Sequence, residues 1–160
     1  MKLNILVACA FSILAQVSFA QETALITKIN GSGFTSADDA RTETCEVFLN
    51  KVVITQKYGA YGEQSFTTQE VRRVKLSNSI RNVIQSVAKE DVSKSDNLLC
   101  DGPSTKVSSS LAGETIDLFV TGGCGSPRIE RNGSQVRMLL DLVSTYCPVT
   151  HDFGVQNTNL

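Results

Sequence analysis

The residues able to do chemistry are few. The chain holds five cysteines and one histidine among its 160 residues. Cys124 sits in the stretch TGGCGSP, Thr121 to Pro127, among three glycines. A nucleophilic or redox thiol needs a depressed pKa, supplied by a neighbouring cation or a Cys-x-x-Cys partner. The nearest basic residue is Arg128, and no Cys-x-x-Cys occurs. His151 stands beside Asp152 in a polar C-terminal stretch, so a Ser–His–Asp or Cys–His device would rest on a tail residue. The cysteines lack zinc-site spacing. Asp38 and Asp39 lack the ladder of ligands that a calcium loop requires. Gly122, Gly123 and Gly125 are not followed by the Gly-Lys-Ser/Thr of a phosphate loop. Two carboxylates at the right separation would suffice for glycoside hydrolysis. With 16 acidic residues, however, a chance pair carries no information. No catalytic residue, cofactor or metal ligand is assigned.

The elements that position these residues begin after a leader. One charge, Lys2, precedes an apolar run from about Ile5 to Val17, and Ser18-Phe19-Ala20 supplies small residues at the cleavage positions. Residues 1–20 therefore read as a cleaved bacterial-type signal peptide, which places the mature chain in the periplasm or outside the cell. Leu6-Val7-Ala8-Cys9 has the residue types of a lipoprotein box, but five preceding residues are too few for its apolar region. Residues 21–148 are expected to form one globular domain and 149–160 a polar tail, with no transmembrane segment in the mature chain. Basic and acidic residues nearly balance, at 15 and 16, without a run of either sign. That excludes the basic stripe of a nucleic-acid binder.

Thr23–Asn30 alternates as a strand, and residues 31–43 form a polar loop. Cys45–Thr55 reads as a second strand with a phase slip near Lys51. Tyr58–Gly62 makes a hairpin connection to a returning strand over about 63–76. Charges at Arg72, Arg73 and Lys75 suit the outer face of an edge strand. Ile80, Val83, Ile84 and Val87 share a helical stripe that begins near Ser77 or Ser79 and ends near Glu90. Asp91–Pro103 reads as a loop. Thr105–Ser110 and Glu114–Thr121 flank a three-residue hairpin loop, Leu111-Ala112-Gly113. Ser134–Cys147 reads as a helix capped by Ser134 and stopped by Pro148, although Asn132-Gly133 is also a hairpin dipeptide. The expected class is α+β: an antiparallel sheet of about five strands in two hairpins, two amphipathic helices packed on one face, and two disulfides.

Cys9 leaves with the leader, so Cys45, Cys100, Cys124 and Cys147 remain, with three possible connectivities. If Ser110 faces Glu114, the same hairpin register sets Cys100 opposite Cys124 at bridging distance. Cys45 and Cys147 would then tie an early strand to the last helix.

An exported, stapled frame without a catalytic constellation suggests a non-catalytic domain that binds or shields another macromolecule, a protein or an envelope component. A sharper version is a peptidase inhibitor that presents Leu98, Leu99 and Asp101, or Gly122, Gly123, Gly125 and Ser126, on disulfide-anchored loops. The alternatives are a small carboxylate-dependent hydrolase of cell-wall or polysaccharide material, using acids such as Asp101, Glu114, Asp117 and Asp141, and a self-associating envelope subunit.

Overall fold

A computed structural model describes residues 22–33, 40–59, 65–96, 102–122 and 127–148. Eight strands form one antiparallel sheet in the order β4-β3-β2-β1-β6-β7-β8-β5. The strands are β1 (Ile26–Gly31), β2 (Arg41–Val47), β3 (Lys51–Tyr58), β4 (Phe66–Arg73), β5 (Asp91–Ser95), β6 (Ser104–Leu111), β7 (Glu114–Thr121) and β8 (Arg128–Asn132). The helices are α1 (Ile80–Val87) and α2 (Ser134–Tyr146). The chain is thus mostly sheet, which overturns the expected α+β fold of about five strands with two helices on a face. One disulfide, not two, lies among the described residues.

The missed strands have physical causes. Cys45–Thr55 is not one strand: β2 ends at Val47 and β3 starts at Lys51, and the reversal is closed by Phe48 N–H donating to Lys51 O at 2.9 Å. Only Asn50 signals a turn there, because neither glycine nor proline is present. The start of β2, Arg41–Glu43, lies in a stretch too polar to announce a strand. β5 forms an edge of the sheet and is exposed along its whole length, so it shows no inside–outside alternation. β8, a short strand that ends at Asn132, has no inside–outside alternation of its own.

The β6–β7 loop has two residues. Ala112 and Gly113 both adopt positive φ, 54° and 87°, the conformation of a tight hairpin turn that matches strand twist. Leu111 therefore faces Glu114, and a bulge between Val107 and Ser108 shifts the register again. The register that set Cys100 opposite Cys124 does not hold.

The core lies on one face of the sheet. Ile26, Val47, Val52, Ile54, Val107 and Leu118 pack with Ile80, Ile84 and Val87 of α1 and with Val136, Leu139 and Val143 of α2. A distant side chain starts α2. Ser134 is its first residue and does not cap it. The Glu90 carboxylate accepts from Gln135 N–H and Val136 N–H, both at 3.2 Å. An anion at a helix N-terminus satisfies donors left without intrahelical partners. Gly133 makes this approach possible, since any Cβ there would collide with the Glu90 carboxylate.

Two consequences can be measured by urea unfolding. Gly133→Ala is expected to displace Glu90 and lower stability by about 1–2 kcal/mol, and Glu90→Ala by a similar amount. Ser109 is fully buried and its hydroxyl has no hydrogen-bond partner. Ser109→Ala is therefore expected to leave stability unchanged or raise it by about 1 kcal/mol.

Candidate functional site

The core face of the sheet changes character along the strands. At one end Val52, Val47 and Ile26 stand side by side on β3, β2 and β1. The next row holds Ile54, Cys45, Lys28 and Val107. Beyond it lies a polar row of directly opposed residues across five strands: Thr68, Gln56, Glu43, Asn30 and Thr105.

The Cys45–Cys147 bridge marks the border, with a Cα–Cα distance of 5.9 Å. Both residues are buried, and the bridge fixes the end of α2 to β2. Cys45–Cys147 is one of the two pairings named from the sequence. Lys28, opposite Cys45, donates its Nζ to Cys147 O at 3.1 Å, where the carbonyls at the helix end leave acceptors open. Burial lowers the Lys28 pKa below the ordinary lysine value, and the Glu43 carboxylate partly offsets this.

The polar row is a chain of hydrogen bonds directed at one carboxylate. Thr68 Oγ1 and Tyr58 OH donate to Gln56 Oε1 at 3.3 and 3.0 Å. Gln56 Nε2 donates to Glu43 Oε2 at 3.1 Å, and Asn30 Nδ2 to Glu43 Oε1 at 3.4 Å. Thr105 Oγ1 in turn donates to Asn30 Oδ1 at 3.1 Å. Glu43 is only 2% exposed. A carboxylate offers acceptors alone, so amide donors on both flanks are what a buried Glu43 requires.

Past this row the strands end in a mouth. Tyr58 and Phe66, opposed on β3 and β4, stack at 4.5 Å between ring centroids, and the Arg41 guanidinium lies 5.4 Å from the Tyr58 ring. Phe66 is 57% exposed. A cavity of about 350 Å³ opens beside this pair, bordered by Thr42, Lys57 and Thr67.

Four strand connections leave from this same end: β1 to β2, β3 to β4, β5 to β6 and β7 to β8. The opposite end carries the Phe48–Asn50 and Ala112–Gly113 reversals, Gly133 and the approach to α1. Of the residues expected in a binding loop, Gly122 is described. It has φ +75° and backs onto Pro103 and Ser104 so closely that a Cβ would strike their backbone. Leu98, Leu99, Asp101, Gly123, Gly125 and Ser126 lie outside the described residues, as do Cys100, Cys124 and His151.

The acids named for hydrolysis do not gather here. Glu114 is exposed at the β6–β7 turn, Asp141 is exposed on α2, and Asp117 is ion-paired with Lys106 at 2.9 Å. Asp101 lies outside the described residues. Sequence reasoning missed Asn30, Arg41, Glu43, Gln56, Tyr58 and Phe66 as a group. Glu43 falls in a stretch whose composition reads as a polar loop, and no local motif joins residues whose proximity comes from strand register. Among the described residues no cluster of His, Cys, Asp or Glu could hold a metal ion, and no helix is long and apolar enough to cross a membrane. No protein-family model, curated protein or solved structure matches the chain.

Lys28 sets a pH dependence. A lysine whose folded pKa is lowered binds fewer protons folded than unfolded between the lowered and the ordinary value. Stability is therefore expected to rise with pH through that alkaline window, and to fall as pH drops through the lowered value. Urea midpoints followed across this range should lose this contribution in Lys28→Met. Glu43→Leu, which strands two amide donors, is expected to destabilise the fold by about 2–3 kcal/mol in the same assay.

Proposed function

We propose that the protein is an exported, non-catalytic domain that recognises another macromolecule in the periplasm, at the cell envelope or outside the cell. The observation that carries this reading is the segregation of the two ends of the sheet. The end beneath the helices holds the dry core and closes with short reversals. The other end is where four strand connections leave the sheet, and those from β1 to β2 and from β3 to β4 adjoin Arg41, Tyr58 and Phe66. Contact residues concentrate where a rigid scaffold presents loops, and exposed aromatic and arginine side chains are the usual anchors of such contacts.

The remaining retained cysteines, Cys100 and Cys124, are proposed to form the second bridge. The support is proximity of their flanks: Gly122 is packed on Pro103 and Ser104. A bridge there would hold the two adjoining connections together at the same end and reduce the entropy lost on docking. A peptidase would be one class of partner suited to loops held in this way. Non-reducing mass spectrometry of tryptic peptides is expected to return a Cys100–Cys124 peptide and no free thiol.

The binding reading is tested by crosslinking capture, with the mature, oxidised protein incubated with envelope extract and with secreted serine and metallopeptidases. A specific partner is expected with the wild type. The Arg41→Ala/Phe66→Ala double variant, whose substitutions lie outside the buried core, is expected to lose it by about tenfold or more in affinity. Equal capture by both proteins, or turnover of wall polysaccharide by the wild type, would overturn the reading.

A further inference from the structure

The outer side of β4 has no strand partner among the described residues. An exposed edge of eight residues is a template for another strand, and its residue order selects which one. Val74 N–H donates to Asn50 O at 3.1 Å, one step beyond β4 in the β3–β4 register. Antiparallel pairing alternates, so Thr68, Glu70 and Arg72 turn their backbone groups toward β3. Thr67, Gln69, Val71 and Arg73 turn theirs toward the open edge.

The side chains are self-complementary. Glu70 and Arg72 share one face, where Arg72 Nε and Nη2 donate to the two Glu70 oxygens at 2.6 and 2.9 Å. Val71 projects from the opposite face, where it stands against Val53 and is 58% exposed. Val53 packs with Ala24 and Phe48 in a small apolar cluster on that side.

The geometry points to a symmetric dimer in which β4 pairs antiparallel with β4 of a second copy about a two-fold axis through Val71. In that register Val71 exchanges backbone hydrogen bonds with its own copy, and Gln69 does so with Arg73. Glu70 stands opposite Arg72 of the second copy, twice, at the closer, non-hydrogen-bonded positions where side chains interact most. Val53, Val71 and their copies form one apolar row across the junction. Neighbouring registers are rejected by charge. An axis through Glu70 sets Glu70 against itself, and an axis through Arg72 sets Arg72 against itself. The same charges that deter indiscriminate edge pairing therefore admit this strand in this register. An isologous contact of this kind closes and does not propagate into fibres.

Sedimentation equilibrium of the mature protein is expected to show a concentration-dependent dimer. Glu70→Arg alone and Arg72→Glu alone each place like charges opposite one another, and each is expected to weaken dimerisation by about tenfold or more. An equimolar mixture of these two single variants restores both opposite-charge pairs and is expected to form a heterodimer. Val71→Pro removes a donor that faces the open edge and not β3. It is expected to give a folded monomer by circular dichroism. A monomeric wild type, a dimer unaffected by the single charge variants, or a mixture that stays monomeric would each overturn the proposal.

Discussion

The bridge between Cys45 and Cys147 is the constraint on which the rest of the structure depends. An eight-stranded sheet is ~34 Å wide at ~4.8 Å per strand spacing. α1 and α2, with 8 and 13 residues, are only ~12 and ~20 Å long. Two such helices cannot cover the whole face, so the place where cover ends must be fixed. The bridge closes a span of 102 residues, which in the chain-entropy view stabilises the folded state by about 4–5 kcal/mol. It also holds the C-terminal end of α2 against the middle of β2, at the line where the face passes from aliphatic to polar.

The polar row follows from that limit. Residues just beyond the helices are still shielded, since Asn30 and Glu43 are 5% and 2% exposed. Apolar side chains there would continue the core without a helix to close it, while unpaired polar ones would carry the full cost of desolvation. The sheet instead uses its own register. Each polar side chain bonds to the one directly across from it, from Thr68 to Thr105, with Glu43 as the shared acceptor. Lys28, one row inward, brings a positive charge near that carboxylate and reaches back to the helix end. A network of this kind is rigid only when it is complete, which gives the mouth around Tyr58 and Phe66 a firm floor.

Legibility from sequence divided along the same line between local and non-local causes. α1 and α2 showed themselves through 3.6-residue periodicity, and β6 and β7 as the two runs that flank the turn at Ala112 and Gly113. These signals are local in the chain. β5 and β8 were not legible because short edge-proximal strands owe their form to neighbours and not to their own pattern. The β2–β3 reversal was hidden because Leu49 and Asn50 lack the glycine or proline that announces most turns. The start of α2 was not legible for a related reason. Ser134 has the right chemistry and position, yet the carboxylate of Glu90, 44 positions earlier in the chain, occupies the helix start. The Cys45–Cys147 pair was legible because a chain with few cysteines leaves few pairings. The polar row was not, because Asn30, Glu43 and Gln56 become neighbours only through strand register.

The two edges of the sheet follow different solutions to one problem. β5 is short and is exposed throughout, with Asp91 and Lys94 among its five residues, so it offers little to a passing strand. β4 is longer, carries Val71 and Phe66 in the open, and cannot rely on brevity. Its protection is the order of its charges. A glutamate and an arginine flanking a valine disfavour the neighbouring self-registers, where each meets its own like, yet are complementary to their own reverse. Edge protection and partner choice are then one property of the triplet Glu70-Val71-Arg72. This property belongs to the side of the sheet, whereas the Arg41–Tyr58–Phe66 mouth belongs to its end. The contact is centred on Val71 and its paired residues run from Gln69 to Arg73, whereas Arg41 and Tyr58 stand on β2 and β3, inside the edge, so association of two copies and recognition of a different macromolecule draw on different residues of one scaffold.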